Sequence, residues 1–263
     1  MTRTPTTILL GADAPRVMTV PMIAAAFADR RKKAARNTIF KWIRDQTDAG
    51  VLRPVTRGLY LNQLARPQPT AAEAASFVRS GATVSLQTVL GDAGITNSYS
   101  DVVTSVLPVQ GRLAQSSRPV IASGIEYRFH VMPARLLDDE AGDLEDRMDL
   151  EVLYPRATPE KALLDWIYLG ASPRTKLAPP PLDIDLEHLD KRRLNRLAER
   201  MKLSNQLDQY FARKRKYDRH PSVRANASIS VRKPPSRRKV MTAKRSEGRS
   251  EAATDLRSGR QIK

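Results

Sequence analysis

Apolar residues recur every three or four positions through residues 20–50, a spacing that predicts two amphipathic helices. The first helix is expected to begin at Thr19, whose hydroxyl can cap it, with Pro21 in its first turn. The second is expected to end at Gly50, because glycine suits the left-handed residue that follows many helices. Its predicted core side comprises Ile39, Trp42 and Ile43.

A short hairpin is predicted directly after Gly50, with Leu52 and Leu59 near one another and a Val-Thr-Arg-Gly turn between its strands. The order of helix, glycine and basic hairpin is typical of a winged helix-turn-helix, whose second helix enters the major groove of duplex DNA. The predicted DNA contacts are the exposed polar residues of that helix and the two hairpin arginines: Arg36, Asn37, Thr38, Lys41, Arg44, Arg53 and Arg57.

The polar side of the second helix also has a simpler interpretation, a surface helix with solvated charges. Asn37 can bond adenine bidentately, through the oxygen and the nitrogen of its side-chain amide, and the cations can bond guanine or phosphate. Asp45 and Asp48 lie near the same side of the helix and weaken the DNA-binding interpretation. The adjoining glycine and the arginine-bearing hairpin favour DNA binding over the simpler alternative.

Residues 66–212 contain segments with the helical spacing of apolar residues and segments in which apolar and polar residues alternate. They therefore predict a mixed α/β unit. Thr70 can cap a helix, residues 101–107 predict a buried strand, and residues 125–132 alternate as a half-buried strand does. Thr158 begins a helix in which Lys161 and Asp165 have the spacing of an i,i+4 pair. A further amphipathic helix is predicted from Leu186, Leu189, Leu194, Leu197 and Met201.

Charge divides the 263-residue chain, whose net charge is +17, into three parts. Residues 1–65 carry +7, residues 66–212 carry −3 and residues 213–263 carry +13. The predicted fold class is α+β, with a winged-helix domain over 1–65, a mixed α/β domain over 66–212 and a basic tail over 213–263. The tail is expected to be disordered from about Asp218, because it is almost empty of large apolar residues.

The net charge of +17 favours polyanionic partners, either nucleic acid or an anionic membrane surface. The tail is interpreted as a flexible arm that prolongs residence on DNA through counterion release, or as a solubilising or RNA-binding terminus. A membrane-surface role is weaker, because aromatic and apolar anchors are missing from the tail. The acidic segment 138–151 has eight carboxylates in fourteen residues, and is interpreted as a solvated loop, a docking surface for a basic partner or a screen for the tail.

Motifs of catalysis and cofactor binding are missing from the sequence. There is no cysteine, P-loop, G-x-S-x-G or H-E-x-x-H motif, so we expect no enzyme activity, no cofactor and no metal. Glu126, His130 and Asp165 could form a triad, but nothing local positions them. A third hypothesis is an enzyme that acts on nucleic acid through the carboxylates of the middle unit. No apolar run approaches the ~20 residues that span a bilayer, and a secretory signal is absent, so a cytoplasmic location without membrane contact is expected.

Five motifs in chain order resemble those of one known family. They are Arg-Gly-Leu-Tyr (57–60), Ser-Leu-Gln-Thr-Val-Leu (85–90), Val-Thr-Ser-Val (103–106), Tyr-Arg-Phe-His (127–130) and Ala-Thr-Pro-Glu-Lys-Ala-Leu-Leu-Asp (157–165). Over about residues 17–210 the chain resembles the AbiEi family of antitoxins from type IV toxin–antitoxin systems. The Thr-Pro-Glu helix is the most specific of these motifs.

The resemblance implies an N-terminal domain that binds inverted repeats in double-stranded DNA and represses its own operon. It also implies an antitoxin domain that counters a nucleotidyltransferase toxin without lasting direct contact. DNA contacts would fall on the second helix, from Arg36 to Arg44, and on the wing at Arg53 and Arg57. A regulator with no toxin beside it, and a non-specific nucleic-acid-binding protein acting through its tail, are the competing hypotheses.

Overall fold

The structure is a computed structural model that describes residues 9–10, 14–28, 35–97, 101–109, 117–137, 154–173, 175 and 177–219. Helices are combined with two β-sheets in this part of the chain, in agreement with the predicted α+β class. None of the helices described is both long enough and apolar enough to cross a membrane. The basic loop at 29–33, the acidic segment 138–151 and residues 220–263 lie outside the described residues.

The first unit has its described elements in the order β1 (Val17–Thr19), α1 (Val20–Phe27), α2 (Arg36–Asp48), β2 (Leu52–Thr56) and β3 (Leu59–Asn62). Its strands form an antiparallel sheet in the order β1-β3-β2. The predicted boundaries are confirmed at both helices. The Thr19 hydroxyl accepts a hydrogen bond from the Met22 amide at 3.4 Å, and Gly50 follows α2 with a φ of +70°.

The sheet of the first unit lies between two hydrophobic cores. One face packs against α1 and α2 through Met18, Ile23, Ile39, Ile43 and Leu52. The opposite face contributes Val17, Val55, Leu59 and Leu61 to the core of the second unit. The prediction that Leu52 and Leu59 lie together is therefore wrong, because the hairpin register pairs Leu52 with Asn62 and places the two leucines in different cores. Trp42 packs edge-on against Phe27, with 5.6 Å between ring centroids, which confirms its core role.

The second unit contains a 3₁₀ turn (Ala71–Ala74), α3 (Ala75–Val78), β4 (Thr83–Val84), α4 (Gln87–Asp92), β5 (Val102–Val109), β6 (Val120–Ala122), β7 (Ile125–Pro133), a second 3₁₀ turn (Ala134–Leu136), α5 (Pro159–Ala171), α6 (Lys191–Arg200) and α7 (Ser204–Arg219). Its four strands have the order β4-β5-β7-β6, with β5 and β7 parallel and the other pairs antiparallel. Both predicted strands are confirmed as β5 and β7. Strands β6 and β7 form a hairpin around Ser123 and Gly124.

The C-terminal boundary differs from the prediction. Residues 213–219 form the last turns of α7, so the start of the tail at Arg213 was placed too early. Leu207 and Tyr210 of this helix are buried, and the Tyr210 hydroxyl donates a hydrogen bond to the Pro181 carbonyl at 2.7 Å. A prediction based mainly on charge overlooks this helix, because only one side of it needs apolar residues. The helix predicted through Leu186 is also shorter, since α6 begins after the Asp190 cap.

Candidate nucleic-acid interface

Helix α2 has an exposed polar side opposite its buried Ile39 and Ile43. All five predicted contact residues on this helix are exposed: Arg36, Asn37, Thr38, Lys41 and Arg44. Their side chains form no hydrogen bond or ion pair with another described residue, and Arg36 alone makes a ring contact. The structure therefore brings these five residues together on one accessible surface.

The amino end of α2 lacks the features that usually stabilise the start of a helix. Its cap residue is Ala35, which offers no side-chain hydrogen bond, and Arg36 takes the first helical position with no acidic residue in that turn. Asp45 and Asp48 lie towards the carboxyl end instead. These charges oppose the helix dipole, and each such arrangement costs roughly 0.3–1 kcal/mol. The charge order disfavours the helix itself but suits an anion at its amino end.

Arg57 is exposed in the turn between β2 and β3. Gly58 follows with a φ of +79°, a left-handed conformation that favours glycine. The Gly58 carbonyl accepts a hydrogen bond from the Val20 amide at 3.1 Å, which joins the turn to the first residue of α1. A Cβ at position 58 would also lie 3.4 Å from the Val20 Cγ2 atom. The turn that bears Arg57 is thus fixed to the helical part of the first unit.

Arg53 is exposed as well, but it lies on the other face of the sheet from α2. It pairs with Leu61, whose side chain packs into the core of the second unit. Burial raises the pKa of Tyr127 in β7 to about 12, and the positive charge of Arg53 acts in the opposite direction. The structure therefore places Arg53 towards the second unit and does not bring it together with the cations of α2.

A partly buried ion pair joins the two units. The Arg16 guanidinium donates to both carboxylate oxygens of Glu73, at 2.8 and 2.9 Å, and also to the Pro67 carbonyl. The same carboxylate accepts from the Thr70 amide at 2.9 Å, which completes the cap of the first 3₁₀ turn. A bidentate pair of this kind restricts the relative orientation of the two side chains as well as their distance. The first unit therefore has a defined orientation on the second.

Phe40 belongs to the polar side of α2, and the sequence interpretation did not include it. The side chain is 40% exposed, and the Arg36 guanidinium lies 5.4 Å from its ring centroid. The helical spacing gave the necessary signal, since Phe40 follows Asn37 by three positions and precedes Arg44 by four. An apolar residue is readily assigned to a core when the neighbouring Ile39 is a core residue.

The second unit holds a buried polar cluster, defined here as Ser85, Lys161 and Asp165. The Asp165 carboxylate accepts from the Ser85 hydroxyl at 2.7 Å and from the Lys161 ammonium group. Their side chains are enclosed in the core between α5 and the segment before α4, which leaves no access for a substrate. The cluster confirms the predicted i,i+4 pair of α5.

The other two members of the hypothetical triad lie on β7. Glu126 forms two hydrogen bonds of 2.9 Å with Arg128, and these lower the pKa of its carboxyl group. Burial, with a smaller effect from the Arg128 charge, lowers the pKa of His130, whose Nε2 atom has no hydrogen-bond partner among the described residues. In the same part of the chain, no group of three or more His, Asp or Glu residues could hold a metal ion.

Comparison with known proteins gives little further information. No protein-family model matches the chain, and no curated protein matches it. The crystal structure of the RV2827C protein from Mycobacterium tuberculosis is similar over 75% of this chain and 70% of that chain, with 16% sequence identity and a TM-score of 0.45. At this level the likeness supports no conclusion about fold or function.

Proposed function

We propose that this protein is a sequence-specific, DNA-binding transcriptional regulator whose first unit is a winged helix-turn-helix. The order of α1, α2 and the β2–β3 hairpin, with the sheet order β1-β3-β2, supports this proposal. The observation that carries it is the surface of α2. Its cations are exposed and form no ion pair with other described residues, and Arg36 at the amino end opposes the helix dipole. An anionic partner would satisfy these charges.

In the proposed complex α2 lies in the major groove. Asn37 is suited to adenine, and Lys41 and Arg44 to guanine or phosphate. The uncapped amides at the start of the helix, with Arg36 and Thr38 beside them, would receive a backbone phosphate. Arg57, on its fixed turn, would contact the DNA backbone or the minor groove. The contacts would then combine base recognition by the helix with positioning by phosphates.

The finer part of the proposal is a role like that of the AbiEi antitoxins. It rests on the motif resemblance, and above all on the Thr-Pro-Glu helix, which is α5. The protein would act in the cytoplasm, repress its own operon at inverted repeats and counter a nucleotidyltransferase toxin. A nucleotidyltransferase gene next to the gene of this protein would support the antitoxin role. Co-expression should restore growth that the nucleotidyltransferase alone arrests, and unrestored growth would leave a regulator without the antitoxin role.

Footprinting on the protein's own promoter tests the regulator proposal directly. The wild type should protect a defined site at moderate salt. Lys41→Ala and Arg44→Ala should each weaken binding by about 1–3 kcal/mol where they contact a base, or uniformly with a shallower salt slope where they contact phosphate. Arg53→Ala is the matched comparison, since it removes the same charge from the opposite sheet face and should cause a smaller loss. A promoter without any protected site would overturn the proposal.

A second candidate function is non-specific nucleic-acid binding through the C-terminal end of the chain. The observation in its favour is that α7 ends in exposed cations, Arg213, Arg215, Lys216 and Arg219, directly before residues 220–263. Deletion of 220–263, which keeps α7 intact, separates the two functions. The regulator proposal predicts an unchanged protected site with a shallower salt slope. The second candidate predicts that most of the binding is lost and that no protected site remains, because only the cations of α7 are left.

A further inference from the structure

One large apolar side chain lies in the middle of the polar side of α2. Phe40 is 40% exposed, whereas Ile39 and Ile43 of the same helix are buried in the core of the first unit. Trp42 is half-buried and packs against Phe27. The core of this unit is therefore supplied by other residues, and Phe40 is not a member of it.

The side chains around the Phe40 ring on α2 are polar or basic. Asn37 and Arg44 lie about one helical turn before and after it, and Lys41 is its direct neighbour. The Arg36 guanidinium lies 5.4 Å from the ring centroid, a cation–π contact that covers the ring on one side. The ring thus sits among the side chains that the proposed function places at the edges of the bases.

The chemistry of the major groove gives such a ring one partner. Each base pair presents hydrogen-bond donors and acceptors there, and thymine alone among the four unmodified bases adds an apolar group, its C5-methyl. A phenyl ring can form no hydrogen bond with the polar groups but can bury this methyl against its surface. We propose that Phe40 recognises a thymine by packing on its C5-methyl group. The inference rests on the proposed function, because it places α2 in the major groove.

The test begins with selection of binding sites from a random duplex library of roughly 30 base pairs, long enough for two half-sites one helical turn apart. Each thymine of the enriched site is then replaced by deoxyuridine, which removes only the methyl group. We expect a loss of about three- to fivefold in wild-type affinity at one thymine of each half-site, the effect of exposing about one methyl group. The Phe40→Ala variant should bind the thymine and deoxyuridine duplexes equally.

Two matched variants complete the design. Arg44→Ala should weaken binding to both duplexes and keep the difference between them, since it leaves the ring in place. Phe40→Leu should retain part of the difference, because leucine can still contact a methyl group. The thermal midpoint of Phe40→Ala should match that of the wild type, since the ring lies outside the core.

The possible results separate the inference from the function on which it rests. If no site is enriched by the wild type, the proposed sequence-specific function fails and the inference fails with it. If a site is enriched but deoxyuridine has no effect, or affects Phe40→Ala equally, the thymine contact alone is overturned. A Phe40→Ala variant that still selects the same base at every position would overturn the thymine contact independently.

Discussion

Helices α2 and α5 have the same length, 13 residues, and use their charges in opposite ways. Both contain a cation followed four positions later by an aspartate: Lys41–Asp45 and Arg44–Asp48 in α2, and Lys161–Asp165 in α5. The pair in α5 closes into a buried ion pair, and neither pair in α2 does so. Identical spacing therefore leads to different outcomes, and burial decides between them.

The amino ends of the two helices also differ, because α5 has a side-chain cap and α2 has none. The Thr158 hydroxyl caps α5 by accepting from the Lys161 amide at 3.4 Å, with Pro159 and Glu160 in the first turn. The cap residue of α2, Ala35, offers no side-chain hydrogen bond. Helix α5 thus has a capped first turn and a buried ion pair, whereas α2 has no side-chain cap and its cations form no ion pair with other described residues. This contrast agrees with the binding role proposed for α2.

The largest expected effect comes from breaking the buried polar cluster of α5. Asp165→Ala leaves the Lys161 ammonium and the Ser85 hydroxyl in the core without their shared acceptor. Removal of one partner from a buried pair costs about 3–5 kcal/mol, because the remaining charge is still enclosed. Denaturant unfolding followed by circular dichroism should show this loss as a lower midpoint.

Two variants test whether burial is the cause. Asp45→Ala removes the corresponding aspartate from α2 and should change the free energy of unfolding by about 0.5 kcal/mol or less, because the residue is exposed. The double variant Lys161→Met with Asp165→Leu replaces the pair by apolar groups and should recover most of the lost stability. Equal losses for Asp165→Ala and Asp45→Ala would show that burial does not distinguish the two helices.

Structural features that depend only on residues close together in the chain could be predicted from the sequence. Helical spacing and local caps predicted α1, α2 and α5, and the alternation of side chains predicted β7, because each of these signals lies within one element. The exposure of Arg36, Lys41 and Arg44 followed from the same spacing. Phe40 lay within reach of that argument, since its position on the polar side is a matter of helix geometry alone.

The remaining features depend on contacts between distant parts of the chain. Ser85 and Asp165 are 80 positions apart, so no local pattern could show that they bond or that Lys161 is buried with them. The face on which Arg53 lies depends on the second unit, which covers one side of the first sheet. The parallel pairing of β5 with β7 likewise depends on sheet order, which side-chain alternation does not determine.

An intermediate effect is expected from exchanging the caps of the two helices. Ala35→Asp adds a cap and a favourable charge to α2 and should stabilise the protein by about 0.5–2 kcal/mol. The same carboxylate would repel a phosphate at this helix end, so DNA affinity should fall while the thermal midpoint rises. Thr158→Ala, the mirror change in α5, should cost about 1 kcal/mol and leave DNA affinity unchanged.

Ala35→Asn separates the two contributions of that change, since it supplies a cap without a charge. It should stabilise α2 to a similar degree and reduce DNA affinity less than Ala35→Asp does. Thermal denaturation and a DNA titration on the same samples give both quantities. Stabilisation by Ala35→Asp without any loss of affinity would mean that no phosphate lies at the amino end of α2.

The smallest expected effect is a pH dependence confined to the second unit. Residues 1–65 contain no histidine, whereas His130 on β7 is largely buried and burial lowers its pKa from 6.5. The Arg128 charge lowers this pKa further. The unfolded chain therefore binds the proton more readily than the folded one, and stability is greatest above pH ~6.5 and falls as the pH drops below it.

Denaturant midpoints measured between about pH 7 and pH 5 would show this decline, and His130→Gln should remove it. Glu126 has a pKa lowered from 4.5 by its hydrogen bonds to Arg128, so its own stabilising effect is lost only at lower pH. His188→Gln, at an exposed site on the loop before α6, should leave the decline in place. If the denaturant midpoint of His130→Gln falls with pH as steeply as that of the wild type, another group causes the acid sensitivity. The contrast between the two units would then not extend to the pH dependence of stability.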